Sequence, residues 1–213
     1  MPPVERRDPE PIEAYLFDLD GVLRVWDGAD LAAVEARAGL PPGRLGEIAH
    51  DLDRYGPALL GEVTDNDWRA SVVGALVADG LKPDVAVDVV LDWSANLGRV
   101  DPEVTEVVAG IRAAGGQVAL VVNSTDRLEL DLVVLGLDLA VDTVVSSART
   151  GIALPDAAMY EIAAGILAVP APRCAYVGPH AELVAGAERI GMTGHLFDGV
   201  SGLRAIVETL SAR

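Results

Sequence analysis

The chain holds 213 residues, 33 of them acidic and 16 basic, for a formal net charge of −17. A surface of that sign repels nucleic-acid backbones and anionic membranes, so neither is expected as a partner. Hydrophobic residues make up 51% but aromatics only 4%, so the core must be built from Ala, Val and Leu; the length suits one α/β domain with a modest insertion.

The first eleven residues are Pro-rich and charged and lack the apolar stretch of a signal peptide. No run approaches the length of a membrane span. The single cysteine, Cys174, allows no internal disulfide, so a reducing cytoplasm is the expected setting, with the thiol an inert core group. An apolar run, residues 14–17, reads as a short buried strand that breaks into Asp18-Leu19-Asp20-Gly21. A strand entering a Gly turn between two carboxylates puts both at the carboxyl edge of a sheet, where open α/β sheets bind ligands. There Asp18 could serve as a carboxylate nucleophile, Asp20 as general acid and base, and the two together as oxygen ligands for Mg²⁺.

Residues 31–38, 44–55, 65–78 and 83–93 read as four helices with no strand signal between positions 26 and 97, an all-helical insertion in an α/β pattern. Within it, Thr64-Asp65-Asn66-Asp67 forms a variant capping box, and Trp26, Trp68 and Trp93 fall at the edges, where packing along a seam is expected. Asp101-Pro102 opens a helix to position 114, and 117–122 is apolar on both faces, as in a parallel sheet. Residues 123–126, Asn-Ser-Thr-Asp, are expected to cap a helix running to about 135. Strands at 143–146, 174–177 and 195–197 then alternate with helices at 156–167, 181–190 and 201–210. That alternation implies right-handed crossovers and a doubly wound parallel sheet.

The stretch from Tyr15 to Leu23, with Phe17 before the Asp-x-Asp-Gly and Val22-Leu23 after it, resembles the first motif of the haloacid dehalogenase (HAD) superfamily. The start of the helix at Gly61–Trp68 resembles members with a small helical cap. The resemblance implies a HAD-like core of residues 1–26 and 97–213, a helical cap of 27–96, and a ligand cleft between them for a small molecule. It implies Asp18 as nucleophile, Asp20 as acid/base, and both as Mg²⁺ ligands. At the family's second motif, a Ser or Thr that holds the transferring group, this chain has Asn123 and Ser124; they either take that role or simply cap the next helix. The third motif's lysine falls on Leu154, and the fourth motif's two acids fall on Pro179 and Leu183, with Glu182 one residue early and His180 nearby. Lys82, the chain's only lysine, lies in the cap.

Phosphoryl transfer rests on positioning and electrostatic stabilisation. Two of three cationic supports are thus expected to be damaged, and Mg²⁺ binding weakened or lost. Arg127 and Arg149 are the first substitutes to consider, Arg24 and Arg69 the next. Three readings follow: a repurposed or impaired HAD protein, a functioning phosphohydrolase working through an Asp18 aspartyl-phosphate, and a metal-independent hydrolase or dehalogenase using Asp18.

Overall fold

The apolar runs read above become strands of one parallel sheet in the computed structural model, which describes residues 11–211; all but the last residue of the Pro-rich opening lies outside the described residues. From the N-terminus, β1 (Ala14–Phe17) leads into β2 (Arg24–Val25). Five helices follow: α1 (Gly28–Ala38), α2 (Arg44–Ala49), α3 (Leu52–Leu59), α4 (Asp65–Ala78) and α5 (Pro83–Ala95). The chain returns through β3 (Arg99–Val100), α6 (Pro102–Ala113), β4 (Gln117–Val122), α7 (Leu128–Leu135), β5 (Thr143–Ser146) and α8 (Ser147–Thr150). It ends with α9 (Ala157–Leu167), β6 (Cys174–Gly178), α10 (Ala181–Glu188), β7 (Thr193–Leu196) and α11 (Val200–Ser211).

The main sheet runs β5-β4-β1-β6-β7, all parallel, with β1 at its centre. All four β1 residues are buried, because helices cover both faces. One apolar cluster joins Phe17, Leu120 and Val177 to Val108 and Leu203; the other joins Leu16, Val121 and Tyr176 to Tyr160, Ala163 and Leu183. Cys174 lies in β6 at 0% exposure, and burial pushes its thiol up to about 11, so it is a core residue. Among the described residues no helix is long and apolar enough to cross a membrane.

The inserted helices form a cap with its own core, in which Leu45, Ile48, Trp68, Val72, Leu76 and Val90 pack together. Thr64 and Asp67 make a reciprocal capping box at the start of α4. The stem of the cap is an antiparallel ribbon, Arg24 opposite Val100 and Val25 opposite Arg99, too short to show a period-two pattern in sequence.

Two expected helices differ. The 44–55 stretch is two helices, because His50 ends α2 and Asp51 adopts the extended geometry (φ −55°, ψ 128°) of a new helix start. The helix expected from 123–126 begins only at Leu128, with Arg127 at its N-cap and no side-chain cap. The polar side chains before it are used elsewhere: Asn123 Nδ2 donates to the Leu154 carbonyl, Thr125 Oγ1 donates to Asp65 Oδ1, and Asp126 Oδ1 accepts from Asp65 N–H. The last strand sits two residues earlier than its sequence signal at its N-terminal end, and the single turn of α8 carries no sequence signal.

The Thr125 and Asp126 bonds tie the core to α4, and Arg127 Nη1 donates to the Ser94 carbonyl at the end of α5. On the other side of the seam, Gly61 has φ +71°, and a Cβ there would overlap the Ala148 carbonyl oxygen. Gly61→Ala is therefore expected to cost about 2 kcal/mol or more, since both the left-handed backbone and the close approach are lost. A lowered urea midpoint would register it; an unchanged midpoint would mean the seam yields freely.

Candidate active site

Asp18 follows the last residue of β1, and its N–H continues the ladder to the Val177 carbonyl at 3.0 Å. The chain then folds tightly: the Leu19 carbonyl accepts from Leu23 and Arg24 N–H, and Gly21 N–H returns to the Arg24 carbonyl at 2.8 Å. Gly21 needs its φ of +78°, and any Cβ would press on Pro179 at 2.9 Å. Both carboxylates therefore sit at the carboxyl edge of the sheet, as the sequence implies, but their surroundings differ.

Asp18 is 8% exposed and accepts from Leu19 N–H at 2.7 Å. Burial, with the Asp20 charge second among the raising influences, pushes its carboxyl up to about 7, despite hydrogen bonds from the Leu19 and Asp20 backbone and the nearby Tyr176 hydroxyl. Tyr176 itself is buried, with no hydrogen bond of standard geometry, and packs edge-on against Tyr160, whose hydroxyl donates to the Leu183 carbonyl. Leu154 joins this apolar wall at 5% exposure. Tyr176, beside Asp18, and Leu154 belong to the same apolar cluster.

Asp20 is clamped instead. Arg24 Nε and Nη2 donate to its two oxygens at 2.6 and 2.9 Å, and Trp26 Nε1 donates at 2.6 Å. The Arg24 guanidinium also stacks over the Trp26 ring, 4.7 Å from its centre. A bidentate arginine is the strong form of such a pair. Among the four arginines considered from sequence, it is Arg24 that reaches the motif. Arg127 pairs instead with Asp131 at 2.9 Å, and Arg149 lies on the surface against Glu129. Arg69 faces the cleft but pairs with Asp65 at 2.6 Å.

Asn123 and Ser124 line the cleft, but the Asn123 amide is bound on both ends, donating to the Leu154 carbonyl at 3.0 Å and accepting from Leu154 N–H at 2.8 Å. Ser124 N–H donates to Ser147 Oγ, a fully buried hydroxyl with no sequence signal that fixes this loop.

The segment after β6, where the resemblance expects the fourth motif, brings no acid to Asp18 and Asp20. Pro179 packs on Gly21, Leu183 is buried, Glu182 and His180 are exposed, and His180 occupies the N-cap of α10 without a side-chain cap bond. Among the described residues no three His, Cys, Asp or Glu side chains cluster as a metal site. With Asp20 engaged by a guanidinium, Asp18 buried, and no third acid or histidine clustered with them among the described residues, the residues present do not fit Mg²⁺.

A cavity of about 760 Å³ opens between cap and core, with Asp20, Arg24 and Trp26 on its floor and cap residues above. The sequence matches the profile of haloacid dehalogenase-like hydrolases over residues 12–191. The chain belongs to that family. No curated protein sequence matches it.

Solved HAD structures share the fold at low identity. A dehalogenase with an intermediate complex is 18% identical, with a TM-score of 0.72, covering 92% of this chain and 97% of its own. An L-2-haloacid dehalogenase from Xanthobacter autotrophicus with chloropropionic acid covalently bound is 23% identical, with a TM-score of 0.61, covering 85% and 75%. A HAD family enzyme from Bacteroides thetaiotaomicron, in complex with magnesium and inorganic phosphate, is 14% identical, with a TM-score of 0.69, covering 87% and 93%. At these identities the likeness establishes the HAD fold, and fold alone does not fix the chemistry.

Proposed function

We propose that this chain is a repurposed HAD protein that binds a small molecule in the cap–core cleft and has impaired Mg²⁺-dependent phosphatase chemistry. The observation that carries the reading is the clamp on Asp20. An acid/base group must exchange a proton with the leaving group, and Asp20 has both oxygens engaged by Arg24 and one also by Trp26. Asp18 adds to the case, since its neutral form competes with the ionised nucleophile near pH 7 and no lysine stands beside it. The net charge of −17 argues against nucleic-acid or membrane partners, and a reducing cytoplasm is the proposed setting.

A second reading keeps a phosphohydrolase working through an Asp18 aspartyl-phosphate. Arg24 and Arg69 both line the cleft and favour it, since either guanidinium could turn to a phosphoryl group on binding. A third, metal-independent hydrolysis through Asp18, avoids the metal problem but still needs the carboxylate ionised without a cation beside it.

One assay separates them: turnover of a panel of small phosphomonoesters, with Mg²⁺ and with chelator, beside Asp18→Asn. The expected result is no Asp18-dependent turnover. Mg²⁺-dependent turnover lost in Asp18→Asn would overturn the proposal. A constructive version replaces the missing groups: Leu154→Lys with Pro179→Asp is expected to raise phosphatase turnover on the order of 10²-fold over background, the usual worth of one preorganised charge at such a site. No gain in the folded double variant would place the impairment at Asp20 and Arg24 instead.

A further inference from the structure

The chain has three tryptophans, four tyrosines and two phenylalanines. All three tryptophans and one tyrosine, Tyr55, line the cap–core cavity, together with His50. They arrive from separate elements of the cap and its stem. Tyr55 and Trp68 lie 5.0 Å apart, Trp68 and Trp93 5.4 Å, and the His50 ring stands 5.4 to 6.2 Å from all three. An aromatic-poor protein has placed nearly half its large rings around one opening. Trp68 Nε1 donates to the Ala49 carbonyl, which fixes that ring.

The charge around the rings is negative. Among the described residues, six aspartates and three arginines line the cavity. Asp20, Asp65, Asp92 and Asp131 are each paired with an arginine, whereas Asp27, the N-cap of α1, accepts from Ala29 N–H, and Asp30, in its first turn, accepts from Asn96 Nδ2; among the described residues neither has an arginine or lysine partner. The same field, after burial, holds the Tyr55 phenol up at about 12 through Asp20 and Asp65. A dianionic phosphate would meet this field unfavourably. An organic cation would meet aromatic faces and carboxylates whose charge no arginine or lysine offsets, the usual recognition of alkylated ammonium groups. The cavity already holds one such contact, the Arg24 guanidinium on the Trp26 ring.

From this juxtaposition we infer that the ligand of the cleft carries a quaternary or alkylated ammonium group, seated against Tyr55, Trp68 and Trp93 and faced by Asp27 and Asp30. The inference rests on the reading of the cleft as a binding site and adds the class of ligand.

The test is a titration of the full chain by intrinsic tryptophan fluorescence, since every tryptophan lines the cavity. The probes are choline, its uncharged isostere 3,3-dimethyl-1-butanol, and phenyl phosphate. Choline is expected to saturate the signal at least tenfold more tightly than the isostere, with phenyl phosphate weaker than both. Trp93→Leu should weaken choline at least tenfold. The surface change Asp30→Asn, which leaves the cap core intact, should weaken choline about threefold and leave the isostere unchanged. Equal binding of choline and isostere, tighter binding of phenyl phosphate, or no saturable choline binding would each overturn the inference. Those outcomes leave the cleft reading to the phosphatase assay. Conversely, Asp18-dependent turnover of a phosphomonoester would overturn that reading whether or not choline binds.

Discussion

Asp18→Asn should raise the melting temperature at pH 8 by on the order of 10 °C. The wild-type carboxyl has an ordinary value of 3.8 and is pushed up to about 7 by burial in the fold. At pH 8 it is ionised in both folded and unfolded chains, and the folded chain bears the cost of a buried charge. At about 1.4 kcal/mol per tenfold change in proton affinity, that cost is on the order of 4 kcal/mol. A domain of this size moves roughly 2–4 °C per kcal/mol.

The sign is opposite to that of a paired carboxylate such as Asp79, held below its usual range chiefly by Arg44. Because Asp18's folded value lies above its unfolded one, its contribution is fully favourable below about pH 4. It is lost progressively as pH rises to about 7, and is flat beyond. The gap between wild type and Asp18→Asn should accordingly close on acidification from pH 8 to pH 4. Equal melting temperatures across that range would mean Asp18 is solvated, and the account of its burial would fail.

Asp20→Asn, the same chemical change two residues on, should do the reverse and lower stability by about 2–3 kcal/mol. Arg24 has a side chain only 6% exposed, and Asp20 is its charged partner. Removing one partner of a buried pair leaves the other charge without compensation, which typically costs about 3–5 kcal/mol. Asp20 keeps 45% of its side chain exposed, so water screens part of the field and the lower figure applies. Trp26 Nε1 can still donate to the Asn oxygen, so the ring should stay in place. The melting temperature is expected to fall by roughly 5–10 °C. The double variant Asp20→Asn, Arg24→Met should recover most of that loss, because no uncompensated charge remains, and a double-mutant cycle would isolate the coupling. A drop in the double variant equal to the sum of the two single drops would show that the two side chains act independently.

The sequence carried the sheet plainly, because every central strand is an apolar run bounded by turn residues and β1 ends in Asp-x-Asp-Gly. The cap was legible as helix after helix, and its capping box at Thr64 and Asp67 is present as its residues imply. What escaped was either short or used across space. The β2–β3 ribbon is too brief for periodicity, and the break at His50 lies inside a pattern that reads as helical throughout. Asn123, Thr125 and Asp126 look like helix caps to any local rule; their partners, Leu154 and Asp65, are about 31 to 61 positions away in sequence and become visible only once folded.

At the site, the absence of a charged side chain at Leu154 and Pro179 could be read directly. The clamp on Asp20 could in part have been read too, since Arg24 lies four residues on and such spacing brings charges together in a compact turn. The convergence of His50, Tyr55, Trp68 and Trp93 could not, because four separate positions in the cap had to meet.

Arg24 has a second duty by virtue of where it stands. Its backbone belongs to the short ribbon that carries the cap, paired with Val100, while its side chain grips Asp20 and lies against Gly98, just before the returning strand. The stem of the cap and the placement of Asp20 at the cleft thus depend on one residue.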